Sequence, residues 1–237
     1  MSLELVLGKP EVNNLKVEIV KSSLVIDEKL QKEINKDWEL FLEDMKRKGI
    51  KAWNGKKFRF EKVEGNKVFL SETDFKTNLC LRRLNKMQLR NNVVVITNIV
   101  TSDNYLVFGR RKNVGVNPNV IAWIAGGVEP IENSKNVLID TMQIELKEEL
   151  GLDINDYELG LNLVYKSIEQ SAYYVYFDTK TKFTKDEIVE RFKTADENEE
   201  NSELVFYENT KKGIEQLINN KDMLSEVTEY FTNDYES

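Results

Sequence analysis

Glu145, Glu148 and Glu149 stand at i, i+3 and i+4 in a stretch, 134–150, whose pattern predicts a helix. That spacing sets three carboxylates on one helix face, their roots about 5–6 Å apart. Like charges there repel, and a hard divalent cation taking oxygen ligands removes the repulsion. A carboxylate-held Mg2+ or Mn2+ suits hydrolysis of a phosphoanhydride. It neutralises the phosphate oxygens, lowers the pKa of a bound water and orients it for in-line attack, while a nearby carboxylate takes the proton. Just ahead lie Gly126 and Gly127, where the missing Cβ lets the backbone approach a metal or a phosphate. A Glu-rich solvated helix ending in glycine is common, and no Gly-Lys-Ser/Thr follows the glycine pair, so this is not a Walker A loop. The ordered set of strand, Gly-Gly, acidic loop, three-carboxylate helix and Gly151 is far more specific than any part of it.

Composition narrows the alternatives. The 237 residues contain no histidine and one cysteine, which removes Ser-His-Asp, Cys-His and His-metal chemistry, intramolecular disulfides and Cys-based zinc sites. A formal net charge of −7 argues against a general nucleic-acid binder, leaving room for a small nucleotide held through a cation. The longest apolar run, Val93 to Val100, is far shorter than the roughly 20 residues of a membrane span. The first ten residues lack a basic segment and a long apolar one, so no signal peptide is expected and the expected location is cytoplasmic.

The elements that must position these groups follow from period and punctuation. Residues 16–20 alternate as a strand. Asp27 caps a helix running to about Lys48 and stopped by Gly49, with Leu30, Ile34, Trp38, Phe41 and Met45 as its apolar stripe. Strands 57–63 and 67–72 flank a turn at Glu64-Gly65-Asn66. Trp38 and Trp53 are expected in the core. Residues 92–100 and 104–110 form a hairpin, followed by a loop with Gly115 and Pro118. A strand at 120–125 ends in the glycine pair, and Asn133 or Ser134 caps the 134–150 helix. Strands at 160–167 and 171–178, a helix at 185–194, an acidic loop at 196–201, a strand at 203–207 and helices near 210–220 and 224–232 complete the chain. Mixed elements without regular strand–helix alternation favour an α+β fold or a sandwich.

At this point the sequence resembles the Nudix hydrolase family, whose box is Gly, five residues, Glu, seven residues, then Arg-Glu-aliphatic-any-Glu-Glu-any-Gly-aliphatic. Gly126, five residues and Glu132 fit its first part, Glu145 to Leu152 fit its last part, and Trp123 resembles the Trp often found before the family's Gly-Gly. The chain departs from the box in two ways. Eleven residues separate Glu132 from Ile144, four too many, which is about one helical turn. Ile144 also stands where the family has an Arg that orients the box carboxylates. Asn54 to Phe60 and Thr73 to Asn78 look like segments preceding the Nudix domain in a UDP-glucose-hydrolysing branch.

The resemblance implies a Nudix-type α/β/α sandwich over 91–237, preceded by a small α+β unit over 1–90 with no charged cluster suited to catalysis. It implies Mg2+ (or Mn2+) held by Glu148 and Glu149, with Glu145 as ligand or general base and the Gly126 carbonyl completing the shell. Some members of the family also take a base or ligand from a later loop, where Glu199, Glu200 and Glu203 lie; the other reading of that loop is a solvated acidic turn. Arg110 and Arg111 are candidate phosphate partners, and because neighbours on a strand point to opposite faces, at most one serves. Tyr173, Tyr174 and Tyr176 are stacking candidates or core. The implied activity is hydrolysis of the diphosphate linkage of a nucleoside diphosphate-X substrate, with a lean toward nucleotide sugars. The alternative is a non-catalytic Nudix-fold protein that binds a nucleotide or a partner. Expected partners are a small-molecule nucleotide, no extended nucleic acid and no membrane, with a homodimer left open.

Overall fold

The computed structural model describes residues 3–9, 14–112, 118–195 and 200–236. Gly115 and most of the acidic loop, including Glu199, lie outside the described residues.

The most apolar segment is the middle of the sheet. β5 (Asn92–Val100) runs parallel to β10 (Ala172–Thr181) over nine residue pairs. β10 pairs antiparallel with β9 (Tyr157–Ser167), and β9 with β1 (Leu3–Leu7). On its other side β5 meets β8 (Ile124–Gly127) and β6 (Tyr105–Arg111). β6 also pairs with β7 (Ile121–Ala122) and β11 (Asn201–Glu208). The expected 120–125 strand is therefore two pieces broken at Trp123. One piece follows β6 and the other, which includes the glycine pair, follows β5.

Alternation along the central strands sorts two cores. Val93, Val95, Val175 and Phe177 face one side, where α3 (Val137–Leu150) and α4 (Lys185–Thr194) bury Leu138, Met142, Leu146, Ile188 and Phe192. Ile96 and Tyr176 face the other, under Leu217 of α5 (Lys211–Ile218) and Val227, Tyr230 and Phe231 of α6 (Ser225–Glu236). Helices on both faces of a mixed sheet make the α+β, α/β/α sandwich that was expected.

In the first ninety residues α1 (Glu28–Arg47) starts where Asp27 accepts the Leu30 N–H at 2.7 Å, and Gly49 follows it at φ +71°. β3 (Lys56–Glu64) and β4 (Lys67–Asp74) form the expected hairpin, with β2 (Lys16–Ile19) parallel to β4. α2 (Phe75–Arg83) packs Cys80 and Leu81 against Ile34. The sheet and the core cross residue 90. Arg59 pairs with Asn92, β1 pairs with β9, and the Phe60 ring stacks on Tyr173 at 3.7 Å. Trp38 packs on Phe41 and Phe75, but Trp53 is 72% exposed, against expectation. It sits in the segment between α1 and β3, off the helical stripe that buries Trp38.

Cys80 is fully buried, and burial followed by its contact with Asp37 pushes the thiol pKa up to about 12. Because the thiolate is the reactive form, an aromatic disulfide reagent at pH 8 is expected to leave the native thiol unmodified for hours. Full reaction within minutes is expected in urea. Native reactivity equal to the urea value would show that α2 does not pack as described.

Candidate active site

α3 begins later than expected. Asn136, not Asn133 or Ser134, is its cap and accepts the N–H groups of Leu138 and Ile139, while Asn133 sits at φ +59° and Ser134 donates to Asp140. The cap at Asn136 leaves residues 128–136, Glu132 among them, in the loop between β8 and the helix. Gly151 ends the helix in the left-handed region at φ +66°, its N–H on the Lys147 carbonyl at 2.8 Å, as its position in the sequence predicts.

The three glutamates are not equivalent. Glu149 falls in the buried stripe of α3 and is 6% exposed. Asn201 at the start of β11 donates its amide to Glu149 Oε2, whereas Glu149 Oε1 is buried without a hydrogen-bond partner among the described residues. Glu145 lies over β8, its carboxylate against Gly126. A Cβ added at Gly126 would stand 1.8 Å from Glu145 Oε1, so no other residue fits at 126 with this carboxylate in place. Glu148 is half-buried. Burial, followed by Glu200 and Glu148, pushes the Glu145 pKa up to about 8. Burial, then Glu145 and Glu200, raises Glu149 well above the ordinary carboxylate range, with Arg111 opposing. Among the described residues no group of three or more Asp, Glu or Cys side chains is arranged to hold a metal ion.

Of the two adjacent arginines, Arg111 turns to the carboxylates. It pairs with Glu200 at 3.0 Å, and its Nε is buried with no hydrogen-bond partner among the described residues. Arg110 points away, its Nε on Glu203 at 2.6 Å and its Nη1 on Asp222 at 3.1 Å, so Glu203 is engaged there too. The alternation of a strand brings one arginine to the site and not both.

Asn201 and Gly109 escaped the sequence reading. A Cβ at Gly109 would lie 2.5 Å from the Asn201 side chain, so glycine there leaves room for the amide that holds Glu149. The β6–β11 pairing sets Gly109 beside Asn201 and α3 brings Glu149 to them, so no local spacing marks the three.

Arg111 and Ala125 also line a cavity of about 180 Å3 on the far side of β8, together with Arg82, Arg90, Trp123 and Tyr174. The tyrosines divide by strand face: Tyr176 is fully buried, Tyr173 stacks on Phe60, and Tyr174 faces the cavity. Trp123 is 5% exposed and donates its indole N–H to Asn98. Arg82 and Arg90 come from the first ninety residues, in which the sequence suggested no useful charged cluster.

Solved structures of MutT/Nudix family proteins are similar to this fold. One from Listeria innocua is 12% identical, covering 62% of this chain and 92% of its own, with a TM-score of 0.45. The MutT protein from Methanosarcina mazei Go1 is 15% identical, covering 61% and 94%, with a TM-score of 0.44. A NUDIX hydrolase from Nitrosomonas europaea is 17% identical, covering 61% and 88%, with a TM-score of 0.39. No family model and no curated protein matches the chain. No helix of the described residues is long and apolar enough to cross a membrane.

Ile144, at the place of the family's Arg, is 39% exposed on α3, and Glu132 is exposed in the loop before it. An arginine at 144 therefore reaches solvent rather than core. Ile144→Arg is expected to change stability by no more than about 0.5 kcal/mol and, if the chain hydrolyses a nucleotide substrate, to preserve or raise that turnover through pairing with Glu132. Urea melts and turnover, with and without Glu132→Gln, check this. A loss of several kcal/mol would place residue 144 in the core after all.

Proposed function

We propose that the chain hydrolyses the diphosphate linkage of a nucleoside diphosphate-X substrate with the help of Mg2+ or Mn2+. The observation that carries this reading is the packing of the Glu145 carboxylate on Gly126, beside a buried Glu149 with one oxygen unpartnered among the described residues. Burying a carboxylate oxygen without a partner is costly, and Glu149, with one such oxygen, has Glu145 as a like-charged neighbour, both with raised pKa values. A hard cation offsets both desolvation and repulsion, so the donor set fits one. Glu149 Oε1, Glu145 and Glu148 would hold it once the side chains converge, with the Gly126 carbonyl close by. When bound, such an ion supplies charge neutralisation and a more acidic water.

The chain's own residues do the rest. Asn201 fixes the Glu149 carboxylate. Arg111, anchored by Glu200, supplies positive charge on the border between the carboxylates and the cavity, where a phosphate oxygen would lie. Glu145 holds its proton at neutral pH in the metal-free fold; once the cation's charge removes that proton, it is a carboxylate placed to take one from the attacking water. Glu200 stands close enough to be a second acceptor.

Nucleotide sugars remain the preferred substrates, from the resemblance of 54–60 and 73–78 to the UDP-glucose-hydrolysing branch. Turnover is expected on at least one member of a panel of nucleotide sugars, dinucleoside polyphosphates and nucleoside triphosphates, with millimolar Mg2+ or Mn2+ and not in EDTA. Tight nucleotide binding without hydrolysis anywhere on the panel would instead establish the non-catalytic alternative, which the isoleucine at 144 favours.

A further inference from the structure

We infer that the arginine-lined cavity receives a phosphorylated, sugar-like end group, with Arg82 and Arg90 holding its phosphate and Glu226 accepting its hydroxyls. This deepens the proposed hydrolase reading: the preferred substrate becomes a nucleotide sugar whose sugar carries a further phosphate beyond the scissile diphosphate.

The cavity opens between α2, the start of β5, β10 and α6, and meets the carboxylate site at Arg111 and Ala125. At about 180 Å3 it is smaller than the roughly 300–1,000 Å3 that encloses a whole drug-sized ligand, so it takes one end of a molecule whose other end lies on α3. Three guanidinium groups line it against a single carboxylate, that of Glu226, which is 3% exposed.

Among the described residues neither Arg82 nor Arg90 forms an ion pair. Arg90 donates Nη1 to the Gln170 carbonyl at 3.0 Å, and its Nε is buried with no partner. Burial and then the neighbouring Arg82 push the Arg90 pKa down to about 10, the direction expected of a desolvated cation beside a like charge. Two cations left in this state are matched by a group of at least one full negative charge with several acceptor oxygens. The planar guanidinium fork fits a phosphate in that way.

Glu226 repels a bare phosphate, so the ligand must also offer donors. Hydroxyl groups do, and the Asn92 amide on the same wall both donates and accepts. The Tyr174 ring adds an apolar face. A phosphate joined to a polyhydroxylated ring satisfies all of these groups together.

The probes are ribose 5-phosphate, ribose and inorganic phosphate, titrated calorimetrically into the full chain in EDTA, so that binding is read without turnover. Ribose 5-phosphate is expected to bind with a Kd below about 1 mM, and ribose at least tenfold more weakly. Arg90→Gln and Arg82→Gln are each expected to weaken ribose 5-phosphate about tenfold, the scale of a lost charge-assisted hydrogen bond. Arg82, half-buried on α2, serves if the Arg90 variant fails to fold. Glu226→Gln is expected to tighten inorganic phosphate relative to ribose 5-phosphate. No binding of ribose 5-phosphate, equal binding of ribose, or indifference to Arg82→Gln would overturn the inference. Inorganic phosphate binding as tightly as ribose 5-phosphate would reduce the cavity to a bare anion site and overturn the sugar assignment. Ribose 5-phosphate binding in a chain that hydrolyses nothing would refute the hydrolase reading and leave this one standing.

Discussion

Glu149→Gln is expected to lower turnover at saturating Mg2+ by at least about 100-fold, the scale of removing one major electrostatic contributor to a transition state. The fold should survive, because the amide keeps the size of the carboxylate and still offers an oxygen to the Asn201 donor. In EDTA the variant should even melt higher than the wild type, since a buried group no longer has to stay protonated or lie charged beside Glu145. Loss of rate with a gain in metal-free stability separates a functional carboxylate from a structural one, which would lose both. Glu148→Gln should show a similar loss of rate with little change in melting, as Glu148 is only half-buried. Near wild-type turnover in both variants would remove α3 from the reaction.

The second large effect is on stability against pH. The Glu145 pKa rises from 4.5 to about 8 in the fold, and that of Glu149 rises as well. The native state therefore binds more protons than the unfolded chain between these values, and stability falls as pH rises. The contribution is complete below about pH 4.5 and lost by the time pH passes 8. Groups such as Asp156 and Glu61, whose pKa values are lowered, act in the opposite sense and only in acid. In EDTA the melting temperature should thus decline from pH 6 to pH 8.5, and the decline should vanish in Glu145→Gln/Glu149→Gln. Millimolar Mg2+ or Mn2+ should restore the wild type at pH 8.5. A hundredfold excess over Kd gives about 2.7 kcal/mol, or roughly 5–11 °C for a chain of this size. An equal shift in the double variant would mean that the ion binds elsewhere.

The parts of the fold that are legible in the sequence are those with local causes. α1 and α4 end within a residue or two of the positions predicted, because their caps and stripes lie within their own segments. The Gly65 hairpin and the terminus at Gly151 are legible for the same reason. α3 starts later than the sequence suggests because Asn133, Ser134 and Asn136 are all chemically fit caps, and only the path of the preceding loop selects among them. Trp53 is exposed, unlike Trp38, because it lies in the segment beside the helical stripe and residue type alone does not distinguish the two positions.

In the site, the helix face and the glycine beneath it could be read, since each is a matter of spacing. Asn201, Gly109, Arg82 and Arg90 could not, because strand pairing and the cavity bring them to the site from distant segments. Arg110 and Arg111 were equivalent in sequence until the pairing of β6 gave each a face.

The contact of Gly109 with Asn201 also makes substitutions at the two positions interdependent. Any side chain at 109 collides with the amide at 201, and a smaller residue at 201 opens the space that a side chain at 109 would fill. Gly109→Ala alone should displace the clamp on Glu149, whereas Gly109→Ala with Asn201→Gly should regain the strand pairing but not the clamp. Mutational effects at neighbours of this kind do not add. For a library randomised across β6 and β11, tolerated pairs at 109 and 201 should be far fewer than single-site scans suggest, and the active ones should keep glycine opposite an amide.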